Sequence, residues 1–322
     1  MLISPAATMD KVAYKVFTIA RLSDDNIGDV KALHKAVYGK RPAGDFYYRK
    51  YNTGFAGKKY LGFIAYNAQS KPVAFSGAVP CFVANGDGLI AAAQCADAMT
   101  HPKYRLQGLF TKLCSMVAAL CKNEDVAFLF GFPSHQAKPA LVNKLGWQQH
   151  GHMDNFTIPV NAIPFKGFVN SLRFINGLYG MFERHVIAKY VLPEQGVANS
   201  ILCDGYGGVY RNSSYLNYKA FSRTLVVKAG KSKVWVALGY ALLVGDISLQ
   251  GDIDEVIQVL KKLAARLGIG KISFLTSVGT SLHNLLSVQC PPSKAFPVVF
   301  QTMGNSVEVD NIKFAYADLD VF

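Results

Sequence analysis

The residues of this chain whose types and spacing can do chemistry are concentrated in DAMTHPKYRLQGLFTKL, Asp97 to Leu113. Arg105 is followed, after two intervening residues, by Gly108, and Leu109, Leu113, Met116, Val117 and Leu120 then recur at helical spacing. A helix start carries unpaired backbone N–H groups and the positive end of the helix dipole. A glycine there lets an anion reach the backbone with no Cβ in the way, and an arginine adds a bidentate contact. The chemistry this predicts is capture of a phosphate group, such as a cofactor's pyrophosphate, between a strand and a long helix.

Groups able to carry a proton lie close by in sequence. Asp97 precedes the loop, His101 sits beside Pro102, and Ser134 and His135 follow the strand-like run VAFLFGF. His150 and His152 alternate on one strand face; they read as a solvated or internally satisfied pair, and no metal site is expected. The six cysteines (Cys81, Cys95, Cys114, Cys121, Cys203 and Cys290) form no C-x-x-C pair. That pattern excludes a disulfide framework or a zinc cage and fits free thiols in a reducing cytoplasm.

The elements that must position these groups follow from the pattern. Val16 to Ile19 reads as a first strand, and SDDNIGDVKALHKAVYGK as a helix with Ile27, Val30, Leu33 and Val37 on one face. Strands with NAQSKP and NGDG turns fill the stretch up to Thr100. The Gly108 helix, the strand VAFLFGF, the helix QAKPALVNKL and a last strand then close an α/β unit near Val160. From Asn161 to Pro193 the texture changes: Phe165, Phe168, Leu172, Ile175, Leu178 and Phe182 alternate with Lys166, Arg173, Arg184 and Lys189. This amphipathic stretch reads as an interdomain helix, with peripheral membrane contact as the other reading. Beyond it come the strands RTLVVKAG and KVWVALGYALLVGDI, a helix capped by Asp252, the strand KISFLTS, a short helix, and terminal strands PVVFQTM and KFAYADLDV. The second half thus repeats the closing order of the first, although nothing in it matches YRLQGLF.

At 322 residues, 51% hydrophobic and 17% charged, the chain has material for two folded cores, which excludes a disordered protein. The formal charge of +13 points to an anionic partner without choosing among nucleic acid, membrane surface and phosphorylated cofactor. No helix-turn-helix or aromatic-basic RNA motif is present, no apolar run reaches membrane-spanning length, and MLISPAATMDKVAYKVFTIA lacks the pattern of a leader. A cytoplasmic protein is expected.

The loop resembles the acetyl-CoA loop of the GNAT acetyltransferase superfamily, Arg/Gln-x-x-Gly-x-Gly/Ala, with Phe110 standing in place of the last small residue. THPKYRLQGLF is similar to the version found in long bacterial GNAT proteins, and FGFPSHQAKPALVNKLGW to the family's following strand and helix. The resemblance covers about Val16 to Val160, and the second half looks like a degenerate repeat of the same fold. It implies an α/β fold of tandem GNAT-like domains, each a mixed, mostly antiparallel sheet with helices on both faces: 1–160 for acetyl-CoA, 161–195 as linker, 196–322 as the repeat. It further implies that Arg105, Leu106, Gln107, Gly108, Leu109 and Phe110 hold the pyrophosphate of acetyl-CoA as co-substrate. The pantetheine would lie in a wedge beside Cys95 to Met99, with a backbone N–H near Ala98 or Met99 polarising the acetyl carbonyl. An acceptor amine would attack the thioester directly, with Asp97, Ser134 and His135 as candidate catalytic groups. The tyrosine that many GNAT enzymes use as general acid is replaced here near Val142, which leaves open a non-catalytic acyl-CoA-binding module. A Fem-like, tRNA-dependent aminoacyl transferase is the third reading, although no charged helical hairpin interrupts the second half.

Overall fold

The computed structural model describes residues 17–162 and 173–322, apart from 41, 43, 87, 305 and 306. The N-terminal segment read for a leader, Val16, Asp87 of the NGDG turn, and Phe165, Lys166, Phe168 and Leu172 lie outside these residues.

The first half runs β1 (Thr18–Arg21), α1 (Ile27–Tyr38), α2 (Phe46–Tyr51), β2 (Gly62–Tyr66), β3 (Pro72–Asn85), β4 (Gly88–Thr100), α3 (Leu109–Asn123), β5 (Phe128–Gly131), α4 (Lys138–Leu145) and β6 (Gln148–Pro159). After α5 (Arg173–Ile187), β7 (Val191–Leu192), α6 (Ser200–Cys203), β8 (Gly208–Val209) and α7 (Ser213–Lys219), the pattern returns. It continues as β9 (Thr224–Ala229), β10 (Ser232–Leu238), β11 (Leu242–Ser248), α8 (Ile253–Arg266), β12 (Lys271–Ser277), α9 (Ser281–Gln289) and β13 (Ser293–Thr302).

The strands form one sheet in the order β1-β2-β3-β4-β5-β13-β6-β12-β11-β10-β9-β7, with β8 on β3. Its pairs are antiparallel except β4 with β5 and β11 with β12. Each parallel pair is joined through a long helix, as a crossover connection requires. The last strands of the two halves trade places: β13 pairs β5, and β6 pairs β12 along Met153–Pro159. Hydrophobic alternation specifies which face of a strand is buried, not which strand lies beside it.

Helices cover both faces. Val30 and Leu33 of α1 and Tyr51 of α2 pack on Phe75, Ala96 and Met99, while Val117 and Cys121 of α3 pack with Leu129 and Trp147 on the other side. Leu260, Leu263 and Ala264 of α8 bury against Val234, Val244, Ile272 and Phe274. A stack of aromatics, Phe128, Phe130, Phe300 and Phe314, fills the junction of the halves.

The expected terminal strand KFAYADLDV is not one. It makes an isolated bridge, Ala315 with Thr276, and then a 3-10 turn, Tyr316–Asp318. The Asp318 carboxylate accepts the Ala315 N–H at 2.8 Å, and this local bond competes with a ladder. The turn aims Asp318 at Arg211, whose Nη2 lies 2.7 Å from it while Nη1 lies 2.6 Å from Asp246. All three residues are buried. Phe322 ends the segment over β11, where a Cβ at Gly245 would collide with its ring.

Arg211→Ala strands two carboxylates in the core, so urea denaturation is expected to show a loss of about 3–5 kcal/mol. A loss below about 1 kcal/mol would contradict the load assigned to this pair.

Candidate functional site

The loop ahead of α3 begins with a 3-10 turn, Pro102–Tyr104, capped by His101, whose Nδ1 accepts the Lys103 N–H at 3.3 Å. Leu106 (φ 62°) and Gly108 (φ 76°) are both left-handed. Such reversals bend successive N–H groups toward one concavity, the geometry of an anion nest. Leu106, fully exposed, adopts this conformation without the glycine that would make it easy. No side chain caps α3, and its first turn holds no acidic residue. Arg105, Lys103 and Lys112 are exposed around it, and Arg105 makes one long bond from Nε to the Thr100 carbonyl, 3.4 Å.

The helix start of the second half is opposite in character. Asp252 caps α8 by accepting the Asp254 N–H at 2.9 Å, and Asp254 and Glu255 fill the first turn. Those carboxylates already satisfy the helix dipole and repel a phosphate.

Beside the Arg105–Gly108 loop, β4 and β5 separate. They pair at Ala92–Phe128, Ala93–Leu129 and Gln94–Phe130, and the register stops there. The edge of β4 from Cys95 to Met99 thus makes no ladder pair with β5 and leaves a gap in the pairing, while β5 ends at Gly131, which pairs with Val299 of β13 and lies beside Cys95. Against β3 the register shifts, with Phe75 opposite Met99 and Gly77 opposite Ala96. Asp97 and Ala98 therefore share Ser76 as a partner in a β-bulge, with Asp97 at φ 52°. Ala98 is exposed and Met99 buried.

The bulge aims Asp97 into a buried charge cluster. Lys50 of α2, 1% exposed, places Nζ 2.7 Å from Asp97 Oδ2 and 2.6 Å from Asp320 Oδ2. The Tyr51 hydroxyl donates to Asp97 Oδ2 at 2.8 Å, and Gln94 Nε2 donates to Asp320 Oδ1 at 2.9 Å. Burial alone would push the Lys50 ammonium down, but Asp320 and Asp97 outweigh it and hold the pKa above its ordinary value. Burial, and then the Asp97 charge, raises the Tyr51 phenol well above its usual range. Asp97 is thereby fixed between Lys50 and Tyr51.

Behind Gln94 lies a cavity of about 20 Å³, lined by Phe130, Tyr215, Tyr218, Lys219 and Asp320. Lys219 is buried and donates from Nζ to the Leu319 carbonyl at 2.8 Å. Burial pushes its pKa down to about 7, against the pull of Asp320 and Asp318. It is the buried amine of this cluster that changes charge near neutrality.

Ser134 and His135 are exposed after β5, where the Ser134 hydroxyl accepts the Ala137 N–H at 3.4 Å at the entry to α4. Among the described residues no hydrogen bond joins either to Asp97. Val142 packs partly buried in the cluster of Leu141 and Trp147. His152 and His283 both face Asp154, at 3.3 and 3.1 Å, so His152 is satisfied within the protein. Among the described residues no group of three side chains is placed to hold a metal.

Of the cluster around Asp97, the sequence marks Asp97 as a candidate but not Lys50, Tyr51, Gln94, Lys219 or Asp320. Nothing local in FYYRKY marks Lys50 as buried.

Together these features define an α/β protein with an uncapped, acid-free helix start after the point where a parallel strand pair stops pairing. Residues 18–150 match the family model of the acetyltransferase (GNAT) domain. Solved structures share the fold across most of the chain. A GCN5-related N-acetyltransferase from Kribbella flavida is 12% identical, with 89% of this chain and 72% of that one covered at a TM-score of 0.55. One from Anabaena variabilis is 14% identical, with 90% and 73% covered at 0.53. A protein from Pyrococcus horikoshii is 12% identical and covers 96% of both chains at 0.54. No curated protein sequence matches this chain.

Because the folded pKa of Lys219 is depressed from 10.5 to about 7, the unfolded chain binds a proton between those values that the folded protein does not. Wild-type stability should therefore rise relative to Lys219→Met from about pH 7 to 10.5, by up to about 1.4 kcal/mol per pH unit, and the difference should be flat below about pH 7. Urea denaturation across pH measures this, and parallel curves for the two proteins would contradict it.

Proposed function

We propose that the protein is an acetyl-CoA-dependent N-acetyltransferase acting on a primary amine of a small molecule or sugar. The observation that carries this reading is the uncapped, acid-free start of α3, set after left-handed Leu106 and Gly108 and beside the β4–β5 gap. Arg105 and the backbone of Leu106, Gln107, Gly108, Leu109 and Phe110 take the pyrophosphate. The pantetheine arm runs along the free edge of Cys95 to Met99, and a backbone N–H at Ala98 or Met99 stabilises the oxyanion. The amine nitrogen forms its bond to the acetyl carbon as the carbon–sulfur bond breaks. The proton lost by the amine is taken up by the protein, and the departing thiolate is protonated.

Asp97, fixed by Lys50 and Tyr51, orients the incoming amine in this scheme. Ser134 and His135 are the exposed polar groups after β5 and serve the proton transfers from that side. Val142 in place of a tyrosine favours a second reading, an acyl-CoA-binding module without turnover. Release of free CoA in an acceptor-amine screen separates the two.

Calorimetric titration with acetyl-CoA tests the shared premise. The parent is expected to bind, Arg105→Ala to bind about tenfold more weakly, and Gly108→Glu not at all while remaining folded. The glutamate brings both a negative charge and a Cβ to a left-handed position. Absence of binding by the parent at millimolar cofactor would overturn the reading.

A further inference from the structure

Helix α5 has two unlike sides. Toward the protein, the Tyr179 hydroxyl donates to the Leu267 carbonyl at 2.8 Å and Ile187 is buried, so the helix is anchored on the loop that follows α8. Away from it, Leu178, Met181 and Phe182 are 69%, 62% and 43% exposed. Their spacing of three and four residues puts them on one stripe of the helix. A soluble surface tolerates single apolar side chains, but a row of large ones on one helix marks a surface meant to be covered.

What surrounds the stripe says what would cover it. Arg184, His185 and Lys189 are exposed beside it, and the Glu183 carboxylate is turned to Tyr179. Between α5 and the β9–β10 edge runs an open groove of about 1050 Å³, floored by Ile187, Leu225 and Leu238. Gly177 and Gly180 open its helix side, and Arg184 and Arg223 stand in its lining. An apolar stripe with cationic flanks, on a chain of formal charge +13, is complementary to a surface that is apolar below and anionic above. An amphipathic helix lying in a lipid interface has this composition. Among the described residues no helix is long and apolar enough to cross a membrane, so the contact is peripheral.

We infer that α5 and its groove dock the protein on the surface of a membrane containing anionic phospholipid, with Leu178, Met181 and Phe182 entering the interface and Arg184 and Arg223 meeting the headgroups. The stripe lies on α5, outside the α3 loop and the β4–β5 gap, so this inference does not depend on the acetyl-CoA reading.

The test is co-sedimentation of the full chain with vesicles of phosphatidylcholine alone and of phosphatidylcholine mixed with phosphatidylglycerol. The protein is expected to pellet with the mixed vesicles, and less so as ionic strength rises. The double variant Leu178→Glu/Phe182→Glu should lose about tenfold or more in vesicle affinity while keeping the parent's thermal midpoint and acetyl-CoA titration. Leu178 is 69% exposed and the Phe182 ring rests 6.0 Å from Tyr179, so the thermal midpoint is read alongside, and Leu178→Glu alone repeats the test away from that contact. The proposal is overturned if the parent ignores both vesicles, if the variant pellets as the parent does, or if the parent is a dimer that the variant dissociates. That last result would assign the stripe to a second copy of the chain.

Discussion

Among the described residues three basic side chains, Lys50, Arg211 and Lys219, are buried, and a buried charge persists only where carboxylates and carbonyls replace its lost water. Their partners come largely from one short segment. Asp318 takes Arg211, Leu319 offers its carbonyl to Lys219, and Asp320 takes Lys50. Arg211 also holds Asp246 of β11, and Lys50 holds Asp97 of β4. The turn at Tyr316–Asp318 therefore ties the middle of the second half to the bulge in the first. Remove it, and charged groups in both halves lose their compensation together.

The sheet enforces the same union. With β13 beside β5 and β6 beside β12, each half is completed by a strand from the other, and the aromatic stack of Phe128, Phe300 and Phe314 closes over the junction. The β4–β5 gap is consequently braced on its β5 side by β13. A gap between parallel strands is unpaired backbone, and holding it open needs rigid neighbours. In the second half Phe322 packs over Gly245 on a face of β11, and the helix start there is capped by Asp252. The two halves share an order of elements, and their helix starts differ: that of α3 has no side-chain cap and no acidic residue in its first turn, and that of α8 has both.

The parts of the site that were legible in the sequence are the local ones. Arg105 and Gly108 belong to one short turn ahead of α3, so their spacing alone marks them as candidates. The long helices announce themselves by period, and Asp252 by its position before an apolar run. Asp97 was visible as a site residue, but its role depends on Lys50, which approaches from another element. Lys50 and Asp320 are 270 residues apart, and no pattern in FYYRKY or ADLDVF foretells their contact. The exchange of β6 and β13 was hidden for a related reason: a buried strand looks the same whichever strand it pairs with. KFAYADLDV alternates like a strand, and the Asp318 side chain breaks the ladder by bonding its own backbone.

The central claim is that an acyl-CoA ligand is held by the first half alone, at the α3 start and the β4 edge. Hydrogen–deuterium exchange of the intact protein with and without acetyl-CoA tests it most directly, because both places expose backbone N–H groups that a bound ligand would cover. The account predicts slowed exchange in peptides spanning Cys95–Met99 and Arg105–Phe110, with no change across Gln250–Val256 at the start of α8. Protection confined to Gln250–Val256, or equal in the two halves, would contradict it.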